Sequence, residues 1–137
     1  MQRLLYISTS RGRVTQPVID EILRVSRRNN AAAGVTGLLI AGGNRFLQVL
    51  EGDDLAVSRT FDRIQRDDRH FAMVQLAKQT ITERSFGSWA MGFASGAAPG
   101  GGATSPAATI AALIAPIEDP TLRGYFTGFA DLHLSAA

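Results

Sequence analysis

The chain has 137 residues, 45% of them hydrophobic and 19% charged, which is enough for one packed domain and excludes wholesale disorder. It has no cysteine and two histidines, His70 and His133, so disulfides, thiolate nucleophiles, Cys-ligated clusters and a His-rich metal site are excluded and no metal is expected. The net charge is +2, thirteen of the 14 basic residues are Arg with no compact basic run, and no apolar stretch reaches the ~20 residues of a membrane span, so neither direct nucleic-acid binding nor a membrane is expected.

Met1-Gln2-Arg3-Leu4-Leu5-Tyr6 lacks the basic-then-apolar layout of a secretion signal, and a cytoplasmic location is the expectation. Residues 3–8 read as a short buried strand followed by a Thr-Ser-Arg-Gly loop. From Pro17 onward, Val18, Ile19, Ile22, Leu23 and Val25 follow helical spacing, and the helix is expected to fade near Asn29-Asn30. A second strand spans Gly34 to Ala41, Gly42-Gly43-Asn44 is a hairpin turn, and Phe46 to Glu51 is a third strand. Gly52-Asp53-Asp54 offers a cap for a second amphipathic helix marked by Leu55, Val57, Phe61 and Ile64 and ending near Asp67-Asp68. Phe71 to Ile81 alternates as a fourth strand, and Trp89, Met91 and Phe93 as a short fifth.

The order β-α-β-β-α-β-β predicts an α+β, ferredoxin-like architecture, with strands one and three as central neighbours and right-handed crossovers placing both helices on one sheet face. Leu4, Tyr6 and Ser8 then share a face, as do Phe46, Gln48 and Leu50, so Tyr6 and Gln48 are expected side by side beneath the cleft between the helices. Leu5, Ile7, Leu47 and Val49 make the other face apolar as well, and it too needs cover. The predicted organisation is a sheet-and-helix domain over 1–94, a Gly/Ala-rich linker over 95–105 and a helical cap over 106–137. Within the cap, Pro106 to Ala115 is one Ala-rich helical segment. Asp119-Pro120 opens another, whose stripe Leu122, Phe126, Phe129 and Leu132 covers the second face of its own chain or of a partner's; a homo-oligomer is expected.

Gln48 stands among Phe46, Leu47, Val49 and Leu50, where a buried amide is costly unless its donors and acceptors are met. It either bonds a loop backbone or binds a ligand that both donates and accepts. Asn29-Asn30 is either a plain helix stop, since Asn tolerates the left-handed conformation, or an amide that reads a planar ligand. Tyr6, Trp89 and Met91 are by themselves ordinary hydrophobic cover, although the closeness of Tyr6 to Gln48 sets it apart. Asp67-Asp68-Arg69-His70 is either a solvated turn or brings Arg69 and His70 to a phosphate or a ribityl-type hydroxyl chain, and Glu51 is read as a solvent-edge residue or a partner to a nearby Arg. Walker, dinucleotide-binding and nucleophile-elbow motifs are missing, and no catalytic constellation is present.

Together, Leu5-Tyr6-Ile7-Ser8, Asn29-Asn30 with Gly34-Val-Thr-Gly37-Leu-Leu, Phe46-Leu-Gln48-Val-Leu-Glu51-Gly52, Ile64-Gln-Arg-Asp67-Asp-Arg69-His70, Glu83-Arg84-Ser-Phe86 and Trp89-Ala-Met91 resemble the BLUF family of blue-light sensors that use FAD. The resemblance covers residues 3–94. It implies a non-catalytic photoreceptor with a non-covalent FAD between the two helices. It implies that Tyr6 is the photoactive tyrosine, that Gln48 lies between it and the flavin, and that Trp89 and Met91 carry signal output. It further implies that Asn30 binds the pyrimidine edge, that Asn29, Ser8 and Phe46 lie near the ring, that Ile22 and Ile64 sandwich it, and that Arg69 and His70 lie near ring and tail. Output to a downstream protein partner is expected. Two other classes fit the predicted fold: an acylphosphatase-like hydrolase, for which only Ser10-Arg11-Gly12-Arg13 offers an anion loop, and a non-flavin ferredoxin-like binding module.

Overall fold

The computed structural model describes residues 1–86, 91–95, 112, 114–115 and 117–133. Its elements are β1 (Gln2–Ser10), α1 (Gln16–Ala33), β2 (Thr36–Gly42), β3 (Arg45–Gly52), α2 (Asp54–Gln65), β4 (His70–Thr80), β5 (Gly92–Ser95) and α3 (Pro120–His133). The strands form one sheet in the order β4-β1-β3-β2-β5. All neighbours are antiparallel except β5, which pairs parallel with β2. β1 and β3 are thus central, as the ferredoxin-like order requires.

Strand alternation sorts the core into two layers. Leu4, Tyr6, Leu39, Phe46 and Leu50 pack with Ile19 and Leu23 of α1 and Val57 of α2. Leu5, Leu38, Ile40, Leu47 and Val49 pack on the opposite face with Phe86, Ile114, Ile117 and the Leu122, Phe126 and Phe129 stripe of α3. The second face is therefore covered within the same chain. Asp119 caps α3 as its sequence implies, its Oδ1 accepting from the Thr121 N–H at 2.9 Å, while its Oδ2 accepts from Gln79 Nε2 of β4 at 2.7 Å.

Several boundaries differ from the sequence reading. α1 does not fade at Asn29-Asn30 but continues through Ala31-Ala32-Ala33, strong helix formers, and stops at Gly34, which takes φ +71° and ψ +27° and closes its N–H on the Asn30 carbonyl. Ser95, expected in the linker, pairs with Ala41 as the end of β5. Met91 sits one residue ahead of that strand. Trp89, residues 96–111 and the side chain of Leu132 lie outside the described residues. Gly37 admits no side chain, because a Cβ there would run into the Val49 carbonyl oxygen of the neighbouring strand. β4, an edge strand, breaks register with β1 twice, and Ala72 takes φ +52° in one of these bulges.

Glu51 is not at a solvent edge. It is 0% exposed, and its carboxylate accepts from Arg3 Nε at 2.8 Å, from the Ser85 N–H at 3.1 Å and from the Phe86 N–H at 2.8 Å. Glu51 follows Val49 on the face that Phe86 and α3 close, so the chain's own cover removes it from water. Glu51→Ala would leave Arg3 and two amides without their acceptor. It is expected to cost about 3–5 kcal/mol, read as a lower urea midpoint with an unchanged slope.

Candidate functional site

Between α1 and α2, above β1, β2 and β3, lies a cleft with about 100 Å³ of free volume, partly open to solvent. Each helix lines it with one stripe at helical spacing: Ile22, Val25, Ser26 and Asn29 from α1, and Thr60, Arg63, Ile64 and Asp67 from α2 and its C-terminal turn. The sheet supplies Ser8, Leu39, Phe46 and Gln48, and Asn30 and Arg69 complete the lining. Thus Ser8, Ile22, Asn29, Asn30, Phe46, Gln48, Ile64 and Arg69, all singled out from the sequence, converge on one cavity. The same spacing brings there Val25, read from the sequence only as helix core, Asp67, read only as part of the turn, and Ser26, Thr60 and Arg63, which the sequence does not single out. His70 begins β4 opposite Ser10, and its side chain is outside the described residues.

Tyr6 lies under the cleft. It is the direct cross-strand partner of Gln48, and Gln48 is in turn paired with Leu39 on β2. The Tyr6 ring packs against Phe61 with centroids 5.0 Å apart at 52°. Its Oη is buried and has no hydrogen-bond partner among the described residues. Burial, and secondarily the Asp67 carboxylate, push the phenol well above its ordinary pKa, so it keeps its proton. Gln48 is 5% exposed, and its Nε2 donates to Met91 Sδ at 3.4 Å. Among the described residues, it is thus Met91 whose side chain bonds Gln48. The Met91 carbonyl accepts from Arg27 Nε of α1 at 3.0 Å. Arg69 is turned onto Asp67, its Nε donating to Oδ1 at 3.0 Å in a half-exposed pair worth at most about 1 kcal/mol.

The donor set fits a flavin. Aliphatic side chains from two facing helices make a slot for a flat ring, and the amides of Asn29, Asn30 and Gln48 offer donors and acceptors to a mixed polar edge. An oxidisable phenol whose hydroxyl has no partner among the described residues lies beside one of those amides. Among the described residues no group of His, Asp or Glu could hold a metal ion.

Fold and cleft together define a binding module for a planar ligand with a polar edge. A family model described as "BLUF: Sensors of blue-light using FAD" matches residues 1–92, and the chain belongs to that family, whose cofactor is FAD. The Escherichia coli blue light- and temperature-regulated antirepressor BluF is 33% identical over 88 residues, 64% of this chain and 22% of the relative. A photoactivated adenylate cyclase subunit beta of Euglena longa is 33% identical over 93 residues, 66% of this chain and 11% of the relative. The chain therefore spans under a quarter of these relatives. The dark-state structure of BlrB, a BLUF protein, matches with a TM-score of 0.63 at 35% identity, covering 69% of this chain and 71% of that one. Klebsiella pneumoniae BlrP1 with FMN and cyclic diGMP matches with a TM-score of 0.78 at 25% identity, covering 95% and 34%. The family is one of sensors, which favours neither the hydrolase nor the non-flavin module.

Proposed function

We propose that this chain is a blue-light receptor that holds FAD non-covalently in the α1/α2 cleft and passes its response, through Met91 and β5, to a partner protein. The observation that carries the proposal is the side-by-side pairing of Tyr6 and Gln48, the phenol hydroxyl of one having no partner among the described residues and the amide of the other bonding Met91. Asn30 and Gln48 would hold the polar edge of the ring, Ile22 and Ile64 its faces, and Asn29, Ser8 and Phe46 its surroundings. Arg69 and His70 would contact ring and tail. When bound, the flavin supplies the blue-light absorption and, once excited, an oxidant. Tyr6, buried beneath the cleft, would give that oxidant an electron and its Oη proton. The Gln48 amide exchanges its donor and acceptor ends, and because the Met91 thioether accepts but has no proton to give, an amide oxygen turned toward it makes no bond. Trp89 is assigned to output with Met91; the sensor domain runs through Ser95, the end of β5, and linker and cap are divided at 105.

Purified protein is expected to carry one FAD per chain, released on denaturation and taken up in preference to FMN. Asn30→Ala should weaken FAD about tenfold, since the ring edge loses an amide partner; titration by flavin fluorescence quenching reads this. A colourless protein after expression with added riboflavin, or phosphatase activity in its place, would overturn the proposal.

The relatives' names, an antirepressor and a cyclase subunit, support a downstream protein target, and a cytoplasmic location is part of the same reading. A homodimer is part of the same reading, supported by Phe71 and Val74 of β4, 42% and 53% exposed beside half-buried Ile7. Light scattering at high concentration should give twice the chain mass, and a monomer there would remove the dimer.

A further inference from the structure

Met91 is held by two donors of unequal strength. Gln48 Nε2 reaches its thioether at 3.4 Å, a neutral donor on a weak acceptor. Arg27 Nε reaches its main-chain carbonyl at 3.0 Å, a cationic donor on a strong acceptor, across 64 residues of sequence. Arg27 sits on α1 two and three positions before Asn29 and Asn30, yet it does not line the cleft. β5, which starts at the next residue after Met91, has four residues and one neighbouring strand, β2. So short an edge strand opens readily unless something else docks it.

We infer that Arg27 is a positioning residue for the light response: it tethers the Met91 backbone to α1, sets the thioether against Gln48, and keeps that backbone docked when the weaker bond is lost. The inference rests on the photoreceptor reading above. With the carbonyl held, reversal of the Gln48 amide frees the Met91 side chain while its main chain stays in place, and return to the starting state needs only a rotation about side-chain bonds. Without the tether, Met91 and the start of β5 must find their place again before the sulfur meets Gln48.

The test uses the full chain loaded with FAD. Arg27→Met keeps the aliphatic stem and removes the donor, Arg27→Lys restores a cationic donor, and Arg28→Met removes an equal charge from an exposed neighbour on the same helix. Arg27→Met should keep the wild-type dark spectrum and FAD content. Its amides over 91–95 should exchange about three- to tenfold faster in the dark, and recovery from the light-induced red shift should slow by about the same factor. Arg27→Lys should recover part of both changes, and Arg28→Met should match wild type. Wild-type exchange in Arg27→Met would show that no tether exists, and faster exchange with wild-type recovery would show a merely structural contact; either result overturns the inference. A wild-type protein that shows no red shift would instead defeat the photoreceptor reading itself, and this inference with it.

Discussion

Tyr6→Phe should yield a yellow, folded protein whose absorbance does not respond to blue light. The substitution deletes only Oη, which is buried and engages no partner among the described residues. Its loss leaves no orphaned group behind, and stability should stay within about 1 kcal/mol of wild type. The ring and its contact with Phe61 remain. What disappears is the proton that the phenol carries and the ease with which it is oxidised. Gln48→Leu should have the same outcome by another route. Leucine approximates the volume but has no donor or acceptor to exchange, and the bond to Met91 Sδ is gone. A light-minus-dark difference spectrum of each variant beside wild type reads the result. Cofactor loss would give a colourless protein, so the two causes separate. A wild-type shift and recovery in Gln48→Leu would place the switch outside this pair.

Ending the chain after Phe93 should produce the largest loss of stability. It removes half of β5 and all of α3, whose Leu122, Phe126 and Phe129 are buried against Leu5, Leu38, Ile40, Leu47 and Val49. At about 1.5–3 kcal/mol for each buried apolar side chain, the three stripe residues alone approach the whole stability of an ordinary domain. The Gln79–Asp119 bond that fixes the start of α3 is lost with them. The shortened protein is expected to aggregate or to bind a hydrophobic dye, and sedimentation against the full chain measures it. A soluble, flavin-loaded truncation with an unchanged melting temperature would contradict this and would show that residues 1–93 are self-sufficient.

The parts of the fold that rest on period and order were legible in the sequence. Alternation in Leu4–Ser8 and Phe46–Leu50 placed Tyr6 beside Gln48, and the two are direct partners across β1 and β3. The helical spacing that marked Ile22 and Ile64 also carries Val25, Ser26, Thr60, Arg63 and Asp67 to the cleft, a signal present in the sequence but masked by their mixed polarity. What could not be read depends on tertiary cover or on long separation. Glu51 ends a strand and carries a charge, so in isolation it reads as exposed; the loop that buries it arrives 34 and 35 residues later. The α1 stop was misplaced because Asn29-Asn30 tolerates the left-handed conformation, while the residue that adopts it is Gly34. Nothing local links Arg27 to Met91.

The two bulges of β4 bear on how copies of the chain can meet. An outermost strand with exposed Phe71 and Val74 would, if regular, offer its free amides and carbonyls to the same strand of another molecule, and that molecule to the next. The breaks in register, with Ala72 forced to φ +52°, interrupt this ladder after a few residues. Self-association through this region is thereby restricted to contact between side chains on the sheet face. Where the same patch serves both copies, such a contact closes on itself as a pair, whereas a continuous backbone ladder would grow without end into a fibre.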